Sequence, residues 1–166
     1  MLLRNKLLIP MLKANATSFL RRFPSLFFMI LLVFLTSSTF TKDSLADDVL
    51  KYTNQFRRSR GLAALEMRSD LNEIARRHSE DMASGRRSFG HGGYNQRENQ
   101  VKRIIKPFYA MGENVACGAA SGKEVVSLWK TSTGHRRNML GNYKYIGIGT
   151  ARNRRGIIYY TQIFAR

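Results

Sequence analysis

From Leu26 to Leu35 the chain reads LFFMILLVFL, ten residues without a polar side chain. Arg4, Lys6, Lys13, Arg21 and Arg22 precede this run, and TSSTFTK, small and mostly polar, follows it. Positive charge, an apolar core and then small residues is the layout of a secretory leader. A helix needs roughly twenty apolar residues to cross a bilayer, so the run is short for a permanent anchor and reads as cleavable. If retained, it ties the protein to the inner membrane, and it is the one membrane attachment the sequence offers. Residues 1–40 are thus assigned to targeting and 47–166 to folded structure, about 120 residues and one domain. Processing is expected between Phe40 and Asp47, where Ser37, Thr39, Ser44 and Ala46 meet the small-x-small preference, and a start at Met11 would give a leader of more usual length.

The rest of the composition narrows the class. Cys117 is the only cysteine, so the domain has no intrachain disulfide despite its expected export. No cysteine stands directly after the apolar run to carry a lipoprotein anchor. The Asn-Val-Ala-Cys-Gly context of Cys117 predicts a buried small hydrophobe, not a reactive thiol. The net charge is +17, with arginines recurring at Arg57, Arg58, Arg60, Arg76, Arg77, Arg86, Arg87, Arg136, Arg137, Arg152, Arg154 and Arg155. Such a surface attracts polyanions, among them anionic lipid, lipopolysaccharide, acidic wall polymer and nucleic acid. No basic run is unbroken and none forms a nucleic-acid motif, which disfavours the last and leaves solvated surface as the plainer reading.

Periodicity gives the elements. Val49, Leu50, Thr53 and Phe56 fall near one face of a helix that begins at Asp47 and stops at Gly61. A second helix carries Leu71, Ile74, Ala75, His78 and Met82 on its apolar face, with Ser69 or Asp70 as cap, Gly85 as stop, and Glu73, Arg76, Arg77 and Glu80 turned to solvent. His78, on that apolar face, is expected to be a hydrogen-bonded core histidine. Phe89 to Gly93 is a glycine loop that holds His91. A short helix from Arg97 to Ile105 follows, stopped by Pro107. Gly112 to Gly118 predicts a strand with Glu113, Val115 and Cys117 on one face and Asn114 and Ala116 on the other. Lys123 to Lys130 predicts a helix that buries Val125, Val126 and Trp129. A turn from His135 to Leu140 comes next, capped by Ser132 or Thr133. Tyr143 to Thr150 and Gly156 to Ala165 predict a hairpin turning at Asn153 to Arg155. This order points to an α+β or layered αβα domain.

Four segments in sequence, ARRHSEDMA from Ala75 to Ala83, FGH from Phe89 to His91, GENVA from Gly112 to Ala116, and WKTSTGHRRNM from Trp129 to Met139, resemble the CAP superfamily of secreted, SCP-like proteins. IGIG from Ile146 and YYTQIF from Tyr159 resemble its last strands. The resemblance implies a three-layer αβα sandwich with a mainly antiparallel central sheet, and a secreted or periplasmic location. It also implies a cleft lined by two histidines and two acids. His91 matches the first histidine, Glu113 the first acid and His135 the second histidine, while Ser132 stands where the second acid is usual, as in the bacterial branch.

Two neutral imidazoles and a carboxylate can form a first shell for zinc or another divalent metal with a position left for water. His91 and His135 are the expected ligands. Glu113 has three open roles, as a ligand, as an acceptor that orients a histidine, or as a base on bound water. Asn114 and Asn138 are expected to support the cleft by pinning loops, and the whole cluster has the alternative of a purely structural role. Ser132 reads as a helix cap, not a nucleophile, and Trp129 as core. The leading expectation is a non-enzymatic binding module for a divalent metal and a lipid-like or anionic envelope ligand. A metal-assisted hydrolase with Glu113 as base and a basic polyanion-binding surface are the alternatives.

Overall fold

The computed structural model describes residues 44–166, and the apolar run with the residues before it lies outside them. Five helices and four strands follow in the order α1 (Ser44–Arg58), β1 (Glu66–Met67), α2 (Ser69–Ala83), α3 (Tyr94–Ile104), β2 (Met111–Cys117), α4 (Gly122–Thr131), α5 (Thr133–Met139), β3 (Tyr145–Arg152) and β4 (Ile158–Ala165). The strands form one sheet in the order β1-β3-β4-β2, with β1 parallel to β3 and the other pairs antiparallel.

Alternation along the last two strands builds the layers. Ile146 and Ile148 of β3, with Ile158, Tyr160 and Phe164 of β4, join Val49 and Phe56 of α1, Val125, Val126 and Trp129 of α4, and Met139 of α5 in one core. Ile163 and Ala165 turn the other way, to Leu71 and Ala75 of α2 and Val101 of α3. Successive strand residues point to opposite faces, so a sheet buried on both sides needs apolar residues at odd and even positions alike, which β4 has. The result is the expected αβα sandwich, with α1, α4 and α5 on one face and α2 and α3 on the other.

Glycines set the spacing on the α2 side. A Cβ at Gly149 would lie 2.1 Å from the Arg76 nitrogen, and one at Gly147 would lie 2.3 Å from the Leu71 carbonyl carbon. The backbone of α2 therefore rests directly on β3, and the amide of Asn72 reaches across so that its Oδ1 accepts from the Ile148 N–H at 2.8 Å. Polar pairs thread the same interface: Ser79 donates to the Gly149 carbonyl and meets Thr161 Oγ1 at 2.8 Å.

Several local expectations are corrected. The first and third helices begin three residues earlier than the periodicity suggests, at Ser44 and Tyr94. Neither Ser69 nor Asp70 caps α2. Arg68 takes that position, and Asp70 pairs with it at 2.5 Å, which holds the Asp70 carboxyl below its ordinary range. The α4 cap is of the reciprocal kind: Ser121 Oγ accepts from the Glu124 N–H and Glu124 accepts from the Ala120 N–H. Cys117 is exposed, not buried, because it is the last residue of an edge strand, where Gly118 at φ 93° turns the chain away. Arg57, counted among the surface arginines by sequence, is 3% exposed. Its guanidinium ties α1 to the end of α5 by donating to the Ala63, Met139 and Gly141 carbonyls at 2.8, 2.8 and 2.9 Å. His78 and Trp129 are core residues, as expected.

Candidate functional site

The site begins with a glycine loop between α2 and α3. Gly90 and Gly93 adopt φ of 130° and 75°, conformations other residues resist, and the segment between them carries His91. Neighbouring elements fix it from two sides. From α2, His78 Nε2 donates to the Gly90 carbonyl at 2.9 Å. From α3, Arg97 Nη1 donates to the Gly92 carbonyl at 2.8 Å and Nη2 lies 3.4 Å from the His91 carbonyl. The remaining ring nitrogen of His78, Nδ1, is buried without a hydrogen-bond partner among the described residues. Burial first, and the Arg97 charge second, push the His78 pKa below its ordinary value, so the ring stays neutral at neutral pH.

Glu113 supplies the centre. It lies on β2 with its side chain 1% exposed, and such a carboxylate requires a cation. Arg97 provides it as a two-pronged pair, with Nε on Oε2 at 2.6 Å and Nη2 on Oε1 at 2.7 Å. His91 Nδ1 meets Oε1 at 2.9 Å. The carboxylate can only accept here, so Nδ1 carries the proton and, in the neutral ring, the lone pair is on Nε2. The His91 side chain is half exposed and borders a surface hollow of about 470 Å³ shared with Arg87, Tyr94 and Gln96.

His135 enters from the first turn of α5. Asn114 Nδ2 donates to its carbonyl at 3.2 Å and to Gln162 Oε1 at 3.1 Å. Asn138 Nδ2 bonds the Asn114 Oδ1 and the Glu113 carbonyl, each at 2.9 Å. The His135 ring lies edge-on to Trp129, with centroids 6.4 Å apart. Its pKa is lowered by burial first and by the charge of His91 second. Ser132 occupies the α5 cap position, but its hydroxyl accepts no cap hydrogen bond and makes none to His91, Glu113 or His135. Only its carbonyl works at that turn, accepting from the Arg136 N–H at 2.8 Å.

The structure therefore brings His91 into direct contact with Glu113, sets His135 nearby, and leaves Ser132 outside the hydrogen-bonded group. Among the described residues no cluster of three or more His, Cys, Asp or Glu side chains is placed to hold a metal ion. A zinc site built by the protein alone wants at least three such ligands. The third candidate, Glu113, has both oxygens engaged by Arg97 and His91.

Residues 50–164 match the CAP family model, described as the cysteine-rich secretory protein family. The chain belongs to that family. Its CAP domain is 34% identical over 121 residues to the membrane protein YlbC of Bacillus subtilis, covering 71% of this chain and 33% of YlbC. It is 32% identical over 117 residues to the protein YkwD of the same organism, covering 69% of this chain and 45% of YkwD. In structure it is similar to an extracellular SCP-domain protein from Bacillus anthracis, with a TM-score of 0.63 and 27% identity over 73% of this chain and 40% of that one. The chain thus spans less than half the length of these relatives. Among the described residues no helix is long and apolar enough to cross a membrane.

Two residues of this CAP site escaped the sequence reading. The sequence puts Arg97 at the start of a short helix with no role assigned, whereas it lies buried in the fourth position of α3. The signal available was indirect: a carboxylate in mid-strand has to find a cation. His78 was read correctly as core but not as the clamp on the His91 loop.

Proposed function

We propose that this CAP domain belongs to an exported protein and acts by holding a ligand, not by cleaving one. The observation that carries the reading is the state of Glu113. A general base needs a free lone pair aimed at a water. Glu113 instead accepts from Arg97 on both oxygens and from His91 on one. That arrangement suits an orienting role, in which a carboxylate fixes the tautomer and angle of a histidine whose far nitrogen faces outward.

His91 and His135 then form a pair of imidazole donors. They would hold a divalent cation such as zinc only as a half-site, completed by solvent or by the ligand itself. A cation bound there supplies a Lewis-acidic anchor for an anionic or carbonyl group of an envelope ligand. The family resemblance and the leader-like N-terminus support a secreted or periplasmic setting.

Calorimetric titration of zinc into metal-free protein tests this. Binding is expected for the wild type, to vanish in the His91→Ala, His135→Ala double variant, and to weaken by about 10–100-fold in Glu113→Gln. Zinc affinity unchanged in the double variant removes the cation from the proposal. Peptide or peptidoglycan turnover that disappears in Glu113→Gln overturns the binding reading in favour of a hydrolase.

A further inference from the structure

A second feature lies at the other end of β3 and β4, and neither His91 nor His135 lines it. The C-terminal end of α2 and the β3–β4 turn enclose an open groove of about 790 Å³. Arg152, Arg154 and Arg155 line it from the turn, and Arg86 from the segment after α2. Its apolar surface comes from Ala83, Ala151, Ile157 and Tyr159. Ile157 is 38% exposed, and Phe89, itself 55% exposed, meets Tyr159 edge-on with centroids 6.4 Å apart.

The charge in this groove is one-sided. Its acidic lining residue, Glu80, is already paired with Arg76. Arg86 is held by Asp81 at 2.8 Å, whereas Arg152, Arg154 and Arg155 have no carboxylate partner among the described residues. The turn that displays them is cross-linked by its own hydrogen bonds. Asn153 Oδ1 accepts from the Arg155 and Ile157 N–H groups at 3.0 and 2.9 Å, and Arg152 Nη1 donates to the Gly156 carbonyl at 2.7 Å. Clustered like charges repel, so holding unneutralised guanidinium groups on a pinned turn costs free energy that a bound anion would offset.

We propose that this groove binds a linear, phosphate-bearing polyanion, of the kind represented by phosphodiester-linked envelope polymers. A tetrahedral, multiply charged phosphate accepts from more than one arginine, whereas one fork satisfies a planar carboxylate, so a groove lined by Arg86, Arg152, Arg154 and Arg155 suits phosphate better. The groove is far larger than a single phosphate and has cations on opposite walls, which suits successive groups along a chain. Its concave form fits a polymer better than a flat bilayer.

Calorimetric titration of linear polyphosphate into the protein at several salt concentrations is the test. The Arg152→Ala, Arg154→Ala, Arg155→Ala variant is expected to bind at least about tenfold more weakly, with the log–log salt slope reduced by about two to three. Removal of three exposed cations elsewhere, in Arg58→Ala, Arg103→Ala, Lys123→Ala, is expected to cost less than about threefold. Single variants Arg154→Ala and Arg155→Ala, each expected to weaken binding by about three- to fivefold, keep the test valid if the triple variant fails to fold. Equal losses in the groove variant and the control overturn the proposal, since diffuse charge would then explain binding. So does binding to phosphatidylglycerol vesicles with none to polyphosphate, which makes the face a membrane contact. Preference for single-stranded DNA of matched charge overturns it as well, because stacking on Phe89 and Tyr159 would then set the ligand.

Discussion

Replacing Arg97 by methionine isolates what the buried pair does. Arg97 and Glu113 are 6% and 4% exposed, and the substitution leaves the carboxylate with His91 alone. It also removes the donors to the Gly92 and His91 carbonyls. Breaking a buried ion pair from one side costs about 3–5 kcal/mol, mostly from the stranded charge. A domain of this size has about 5–15 kcal/mol in all, so the variant should fold but lose a large share of its margin. With a urea m-value of about 1–3 kcal/mol per molar, the midpoint is expected to fall by more than about 1 M. The double variant Arg97→Met, Glu113→Met leaves no orphan charge and should recover most of that loss, to within about 2 kcal/mol of wild type. Equilibrium unfolding followed by Trp129 fluorescence measures both. A single variant as stable as wild type, or a double variant no better than the single, refutes the reasoning that Glu113 depends on Arg97 for its charge.

Three further outcomes are expected. Gly149→Ala puts a Cβ 2.1 Å from the Arg76 nitrogen, a backbone clash that no rotamer relieves, and should destabilise by about 2–3 kcal/mol or more; a melting temperature within a degree of wild type contradicts the close seating of α2. His78 and His135 both have pKa values lowered from the ordinary 6.5, in each case mainly by burial. The unfolded chain therefore binds more protons below that value, and stability should decline as pH falls from about 6.5 through the lowered folded-state values; a stability flat or rising from pH 7 to 5 in the histidine-dependent part, taken as wild type minus His78→Asn, contradicts it. Cys117 should react with a thiol reagent in the folded protein, at one thiol per chain and without denaturant, because it is exposed; protection until unfolding refutes that placement.

The sandwich was legible because its cues are periodic. Leu71, Ala75, His78 and Met82 mark a helix face, and the alternation over β3 with the return segment of β4 marks a hairpin. The site was legible only in part. His91, Glu113 and His135 could be named from their segments, and the amides of Asn114 and Asn138 do support them. The partner of Glu113 was not legible, because Arg97 comes from a helix whose polarity gives no sign that one arginine turns inward. Helix caps were read by residue type, and two of them failed for a similar reason: Asp70 bonds Arg68, and Ser132 uses its carbonyl in place of its hydroxyl. Cys117 was misjudged because local apolar context says nothing about where an edge strand leaves the cover of its helices.

β2 is an outermost strand, and its alternate carbonyls have side-chain donors: Tyr94 on Met111, Asn138 on Glu113 and Trp129 on Val115, at 3.1, 2.9 and 3.3 Å. Bare strand borders invite other chains to extend the sheet, which is how β proteins aggregate. Here the phenol, amide and indole that surround the histidines also stopper that border. A variant that loosens this neighbourhood would thus reveal itself by self-association at high concentration.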